Sequence, residues 1–123
     1  MTSEQRNILV IDDDITALDI VSFLFEDRGY QVHRCADGFA AIDYVKEKTP
    51  DLIIVDLMMP QINGSETVRE IRAAGNTEVP IIAFTAVDDL NFHEEAISAG
   101  CNTVLTKPLR PKKLIEHIEN YLN

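Results

Sequence analysis

Four apolar runs along the chain each stop at a residue able to do chemistry. Ile8-Leu9-Val10-Ile11 meets Asp12, Asp13 and Asp14; Leu52-Ile53-Ile54-Val55 meets Asp56; Ile81-Ile82-Ala83-Phe84 meets Thr85; Val104-Leu105-Thr106 meets Lys107. The runs show little polar alternation, which suits buried strands covered on both faces. Tyr30 to Cys35 is more polar and partly alternating, and predicts a strand nearer a sheet edge. Between the runs lie stretches with helical spacing. Leu18, Val21, Leu24 and Phe25 form one stripe, stopped by Gly29. Ala41, Tyr44 and Val45 form a second, ended by Thr49-Pro50. Asn63-Gly64 signals a turn, and Ser65 or a neighbour caps a third helix that carries Val68 and Ile71 and ends at Gly75-Asn76. A fourth helix starts near Asp88-Asp89, includes Phe92, Ala96 and Ile97, and closes at Gly100. Pro111 opens the last, with Leu114, Ile115, Ile118 and Leu122.

Five strands alternating with five helices through short connections predict an α/β domain. Right-handed crossovers make it a single doubly wound five-stranded parallel sheet with helices on both faces. In the strand order 2-1-3-4-5 the first and third strands flank the switch point, where such sheets place their ligands. Asp12 and Asp13 then lie beside Asp56, and Thr85 and Lys107 frame the same cleft.

A length of 123 residues fits one domain, residues 1–123, with no internal linker or repeat. The last helix runs to the end of the sequence, so no output domain is expected within it: a free-standing regulator is slightly favoured over a receiver cut from a larger regulator or hybrid kinase. No apolar stretch approaches the roughly 20 residues that span a bilayer, and the first residues lack the apolar core of a signal peptide. A cytoplasmic protein is expected. The net charge of −10 argues against direct nucleic-acid binding and against anionic membranes as partners. Cys35 and Cys101 lack metal-ligand spacing and read as buried reduced thiols; His33, His93 and His117 are scattered.

The rim chemistry narrows the function. Carboxylates crowded in one cleft repel: two unit charges about 4 Å apart cost roughly 4 kcal/mol at an effective dielectric of 20. A hard divalent cation offsets this best, and Mg²⁺ takes one or two carboxylates plus waters and a phosphate. This combination suits phosphoryl transfer, in which a carboxylate can itself be the nucleophile. Asp56, ending the central strand, is the candidate nucleophile. Asp13, and Asp12 partly through water, would hold the metal, with the Met58 backbone carbonyl completing the protein ligands. Thr85 and Lys107 would donate to phosphoryl oxygens. Singly, each residue has a plain structural role, as a helix cap, a strand-end acid or a solvated lysine. Their joint placement at equivalent strand ends carries the inference.

In five segments the sequence resembles the receiver domain of two-component response regulators, which has a flavodoxin-like, chemotaxis-regulator-like fold. The carriers are Ile8-Leu9-Val10-Ile11-Asp12-Asp13-Asp14, Asp51-Leu52-Ile53-Ile54-Val55-Asp56-Leu57-Met58-Met59-Pro60, Asn63-Gly64, Pro80-Ile81-Ile82-Ala83-Phe84-Thr85-Ala86 and Lys107-Pro108. The resemblance implies that Asp56 takes a phosphoryl group from a histidine kinase or a histidine phosphotransfer protein. It implies Mg²⁺ held by Asp12, Asp13, Asp56 and the Met58 carbonyl. It also implies that Thr85 turns toward the phosphoryl group, that Lys107 pairs with it, and that the Lys107-Pro108 bond is cis. Many receivers carry an aromatic residue three places before the lysine, as part of the switch region with the hydroxyl. Val104 stands there, so output is expected from shifts of the fourth helix, the Thr103–Thr106 strand and the last helix. Met58 and Val87 occupy the places that border hydrolytic water; both are apolar, which implies a long-lived phosphoryl group.

The same residues count against other functions. A phosphohydrolase with Asp56 as nucleophile commonly has a second acid two residues on, where Met58 stands. An FMN carrier needs a glycine- and hydroxyl-rich loop after the first strand, not Asp12-Asp13-Asp14. A pseudo-receiver that binds partners without phosphorylation would not need the complete acid, hydroxyl and lysine set. The kinase-facing surface is expected to include the start of the first helix, at Ile15, Ala17 and Leu18. The downstream protein is left open, as is a homodimer through the fourth-to-last helix face.

Overall fold

The apolar runs become strands in the computed structural model, which describes residues 5–122. The strands are β1 (Asn7–Ile11), β2 (Gln31–Cys35), β3 (Leu52–Val55), β4 (Ile81–Thr85) and β5 (Thr103–Thr106). They alternate with α1 (Ile15–Glu26), α2 (Gly38–Glu47), α3 (Gly64–Ala73), α4 (Leu90–Ala99) and α5 (Pro111–Leu122). All neighbours pair parallel, in the order β2-β1-β3-β4-β5 that the sequence predicts.

Successive strand side chains point to opposite faces, so each unbroken apolar run supplies two cores. On one face Leu9, Ile11, Ile53, Val55, Ile81 and Ala83 pack with Ala41 and Val45 of α2, Val68 and Ile71 of α3, and Ala96 and Ala99 of α4. On the other, Ile8, Val10, Leu52, Ile54, Ile82 and Phe84 pack with Leu18, Val21 and Phe25 of α1 and with Leu114, Ile118 and Leu122 of α5. Each buried Ile or Leu contributes about 1.5–3 kcal/mol, so the three central strands anchor the domain.

Several expectations shift in detail. The β5 run is half-buried rather than buried, and Thr106 is exposed, because β5 is an edge strand with α4 and α5 flanking it only in part. On α4, Ala96 and Ala99 do the packing. Ile97, about 100° round the helix from Ala96, is 49% exposed, and Phe92 in the first turn is 43% exposed. At the start of α1, Leu18 belongs to the core and Ala17 is half-buried, which leaves Ile15 as the open residue of that strip. Asn63, not Ser65, caps α3: its side chain accepts the Glu66 N–H at 2.8 Å while Glu66 returns a bond to the Asn63 N–H at 3.0 Å. Asp14, Asp37 and Asp89 cap α1, α2 and α4 in the same manner, by accepting first-turn N–H groups. Gly100 ends α4 at φ 127°, a conformation that disfavours any side chain.

Cys35 and Cys101 are buried, free thiols. Burial pushes both up to about 11 from an ordinary 9.0. A raised folded value means that the fold favours the neutral thiol. Stability from this source is complete below pH 9 and falls as the pH rises toward 11, because unfolded thiols ionise first. Urea unfolding across this window is expected to show a smaller decline in the Cys35→Ala/Cys101→Ala double variant than in the parent. Iodoacetamide is expected to label neither cysteine of the folded protein below pH 9 until urea is added.

Candidate functional site: an acidic rim at the carboxyl ends of the central strands

The strand register decides which acids meet. Ile11 pairs with Val55, and the Asp56 N–H continues the ladder by donating to Ile11 O at 3.0 Å. On the other side the Asp12 N–H donates to Cys35 O of β2 at 3.1 Å. The two acids that follow β1 and β3 therefore stand side by side at one edge of the sheet. Asp13 follows on the exposed side. Asp12, Asp13 and Asp56 each bring one carboxylate oxygen into a group whose members all lie within 4.8 Å of one another. Each of the two inner acids is oriented by a backbone N–H two residues on: Asp14 N–H to Asp12 Oδ1 at 3.0 Å, and Met58 N–H to Asp56 Oδ1 at 3.2 Å.

Lys107 reaches this rim from the turn after β5. Its own N–H donates to Thr85 O at 2.7 Å, which sets the start of the turn, and the Lys107-Pro108 bond is cis. The ammonium donates to Asp12 Oδ2 at 2.9 Å and to Asp56 Oδ2 at 3.4 Å, and lies 5.4 Å from the centre of the Phe84 ring. Burial acts against this charge, but the hydrogen bond to Asp12 and the negative charges of Asp56 and Asp12 outweigh it and hold the amine above its usual range. Asp12 behaves differently. Burial pushes its carboxyl up and the Asp56 charge adds to the rise, against the downward pull of the Lys107 and Asp14 hydrogen bonds. One ammonium thus leaves a surplus of negative charge among three carboxylates.

A cation fits that surplus. The donors are all carboxylate oxygens, hard ligands of the kind Mg²⁺ takes, and the exposure of Asp13 leaves one side open for waters and a further oxygen ligand.

Of the other predicted residues, Thr85, Val87, Met58 and Pro108 sit at the same end of the sheet, whereas Val104 lies within β5, in register with Ala83. Thr85 ends β4, fully buried and in register with Thr106. Its hydroxyl does not join the acids; Oγ1 accepts the Val87 N–H at 3.3 Å. Val87 is half-buried, Val104 is half-buried on β5, Met58 is exposed, and Pro108 is exposed at the turn. Gly64 is a site residue whose role the sequence did not disclose. A Cβ there would overlap Asp56 O and lie 2.7 Å from Leu57 Cα, both backbone atoms, while the Gly64 N–H donates to Leu57 O at 2.9 Å. The first turn of α3 is thus seated directly on the loop that carries Asp56. Its only trace in the sequence is the Asn63-Gly64 turn signal.

The family model of the response regulator receiver domain matches residues 8–119. The chain belongs to the receiver domain family. This receiver domain is 37% identical over 114 residues to the transcriptional regulatory protein ZraR of Klebsiella oxytoca, a match covering 93% of this chain and 26% of that protein. It is 31% identical over 118 residues to the DNA-binding response regulator MtrA of Mycobacterium bovis, covering 96% of this chain and 51% of that one. The chain therefore spans between a quarter and about half of the length of these curated relatives. Among solved structures, chemotaxis protein CheY4 of Vibrio cholerae superposes with a TM-score of 0.91 at 28% identity, covering 96% of this chain and 99% of that one. The receiver domain of sensor histidine kinase PA1611 from Pseudomonas aeruginosa does so with a TM-score of 0.89 at 30% identity, covering 97% and 98%; in that structure a magnesium ion is coordinated in the active site cleft. Receiver domains are signalling elements of two-component systems, and the fold and topology of this one are those of its neighbours.

The ion pairs of the rim predict a measurable coupling. Lys107→Ala strands Asp12 as a buried carboxylate and is expected to destabilise the metal-free domain by about 3 kcal/mol. Adding Asp12→Asn is expected to recover part of that loss. Urea unfolding of both single variants and the double variant in EDTA checks it; strictly additive losses would show that the pair is not coupled.

Proposed function

We propose that this receiver domain is a phosphoacceptor switch in which Asp56 takes a phosphoryl group from a histidine kinase or a histidine phosphotransfer protein. The observation that carries it is the convergence of the Asp12, Asp13 and Asp56 oxygens within 4.8 Å, with the Lys107 ammonium on two of them. A carboxylate oxygen of Asp56 attacks the phosphorus of the donor phosphohistidine. The new P–O bond forms as the P–N bond breaks, and the departing imidazole takes up a proton. A bound Mg²⁺ would supply charge neutralisation of the phosphoryl oxygens. Asp12, Asp13 and Asp56 would hold it, with the Met58 carbonyl as a fourth protein ligand. Lys107, already between Asp12 and Asp56, transfers its ammonium to a phosphoryl oxygen. The Thr85 hydroxyl, whose proton is free for donation while Oγ1 accepts from Val87, donates to another.

The phosphorylated state then biases a two-state equilibrium that a partner reads. With valine at position 104 that output does not run through rotation of an aromatic ring on β5, and the α4–β5–α5 face is the proposed output surface, in a homodimer or against a downstream protein. Ile15, exposed at the start of α1 beside Asp13, belongs to the proposed kinase-facing surface. A cytoplasmic setting fits the reduced buried thiols, and no helix among the described residues is long and apolar enough to cross a membrane.

Incubation with acetyl phosphate and Mg²⁺ is expected to add one phosphoryl group, read by intact mass. The addition is expected to be lost in Asp56→Asn and in EDTA; an equal addition in Asp56→Asn would remove Asp56 from the role. Mg²⁺ alone is expected to raise stability, by about 2.7 kcal/mol at a hundred times its dissociation constant, and less in Asp13→Asn.

By the resemblance, Met58 and Val87 border the path of hydrolytic water, and their apolar side chains cannot orient it by hydrogen bonding. The phosphoryl group is expected to persist, and Val87→Glu, which can hold a water, to shorten its lifetime. Decay of the phosphorylated mass after removal of the donor measures both.

A further inference from the structure

The half-buried side chain of His93 is tied to the loop that follows Thr85. Its Nε2 lies 2.6 Å from the Val87 carbonyl oxygen. A carbonyl only accepts, so Nε2 carries the proton and donates. The same residue, Val87, sends its own N–H to the Thr85 hydroxyl, at 3.3 Å. Two bonds in series thus join Thr85 to α4, one on each side of Val87, and they are unequal. The bond at the Thr85 end is long; the bond at the His93 end is short.

We propose that His93 is a positioning residue for phosphoryl transfer: it anchors the Thr85–Val87 loop to α4 and holds Thr85 back from the acidic rim. This deepens the phosphoacceptor function proposed above and rests on it. A phosphoryl group on Asp56 presents new anionic oxygens at the rim, and such charge-assisted acceptors draw the donor proton of the Thr85 hydroxyl toward them. Oγ1 keeps the Val87 N–H as it moves, so the intervening loop moves with it. The loop follows only if Val87 slides away from His93. The ring has somewhere to go: His93 lines an open groove of about 500 Å³ with Leu90, Ile97 and Val104, and the small side chain of Val104 leaves that groove unfilled. The movement thus reaches α4 through the hydrogen bond of His93. The two bonds connect the phosphorylation site to the exposed Leu90, Phe92 and Ile97 of α4 without any large side chain turning on the sheet.

The test compares the parent with His93→Ala and His93→Gln, whose amide N–H reaches the place of Nε2. The rate of acetyl phosphate modification in Mg²⁺ is read by intact mass. Loss of one such hydrogen bond is worth about 2- to 10-fold in an equilibrium or rate. His93→Ala is expected to be modified faster by that factor, and His93→Gln to return toward the parent. An unchanged or slower rate in His93→Ala would overturn the proposal and leave His93 a purely structural residue. A second measurement does not depend on any variant folding. The ring ¹H–¹⁵N correlation of His93 in the parent protein is expected to shift on phosphorylation, and to stay in place in Thr85→Ala modified to the same extent. A stationary His93 signal in fully phosphorylated parent, with the mass confirming the added group, would sink the anchor. Absence of the added mass would instead sink the phosphoacceptor role itself.

Discussion

Ile11 pairs with Val55, and from that register everything at the rim follows. A slip by one residue would turn every side chain of β1 or β3 to the other face. It would also carry Asp12 away from Asp56. The register is held by burial on both faces: Ile8, Leu9, Leu52, Ile53 and Val55 are fully enclosed between two helical layers. The apolar core thus sets the distance between two carboxylates that repel each other. Left to their own interaction, those groups would separate. The scaffold keeps them together, and the unfavourable charge it confines is what a divalent cation and Lys107 can each relieve.

The supporting parts of the site follow the same rule, in which backbone positions the charges and side chains carry them. Asp14 and Met58 orient the two inner acids through N–H groups. Thr85 O fixes the start of the Lys107 turn. Gly64 lets the start of α3 rest on the Asp56 peptide without a Cβ between them. These contacts run through main-chain atoms, so the side chains named in the sequence mark the chemistry but not its mounting. On the α4 side the Thr85 hydroxyl accepts one long hydrogen bond, Val87 O accepts a short one from His93, and α4 meets the sheet through alanines.

Much of the fold and most of the site residues were legible in the chain because their signals are local. Runs of Ile, Leu and Val that lack alternation can only be strands covered on both faces, and acids at their ends are visible in one dimension. Asp12, Asp13, Asp56 and Lys107 meet as expected. What was missed depends on the third dimension. Phe92 and Ile97 have the spacing of a buried stripe, yet α4 lies at the edge of its layer and buries only its small residues. The Val104 run looks as apolar as its partners but forms an edge strand. Gly64 has no signal beyond a turn, because a close backbone approach leaves no mark on the residues around it. His93 was one of three scattered histidines until the loop brought Val87 O against its ring.

The order of apolar and polar positions by itself determined the alternation of strands and helices, the parallel sheet and the gathering of acid, hydroxyl and amine at one edge, since periodicity and strand ends are properties of the chain read in sequence. Only the tertiary structure decided which oxygens Lys107 contacts, that the Thr85 hydroxyl faces its own loop, and which apolar residues stay in water. Hydrogen-bond partners and burial depend on separations of a few tenths of an ångström between residues far apart in sequence, such as Asp12 and Lys107, 95 positions apart. No pattern within a single segment encodes such separations.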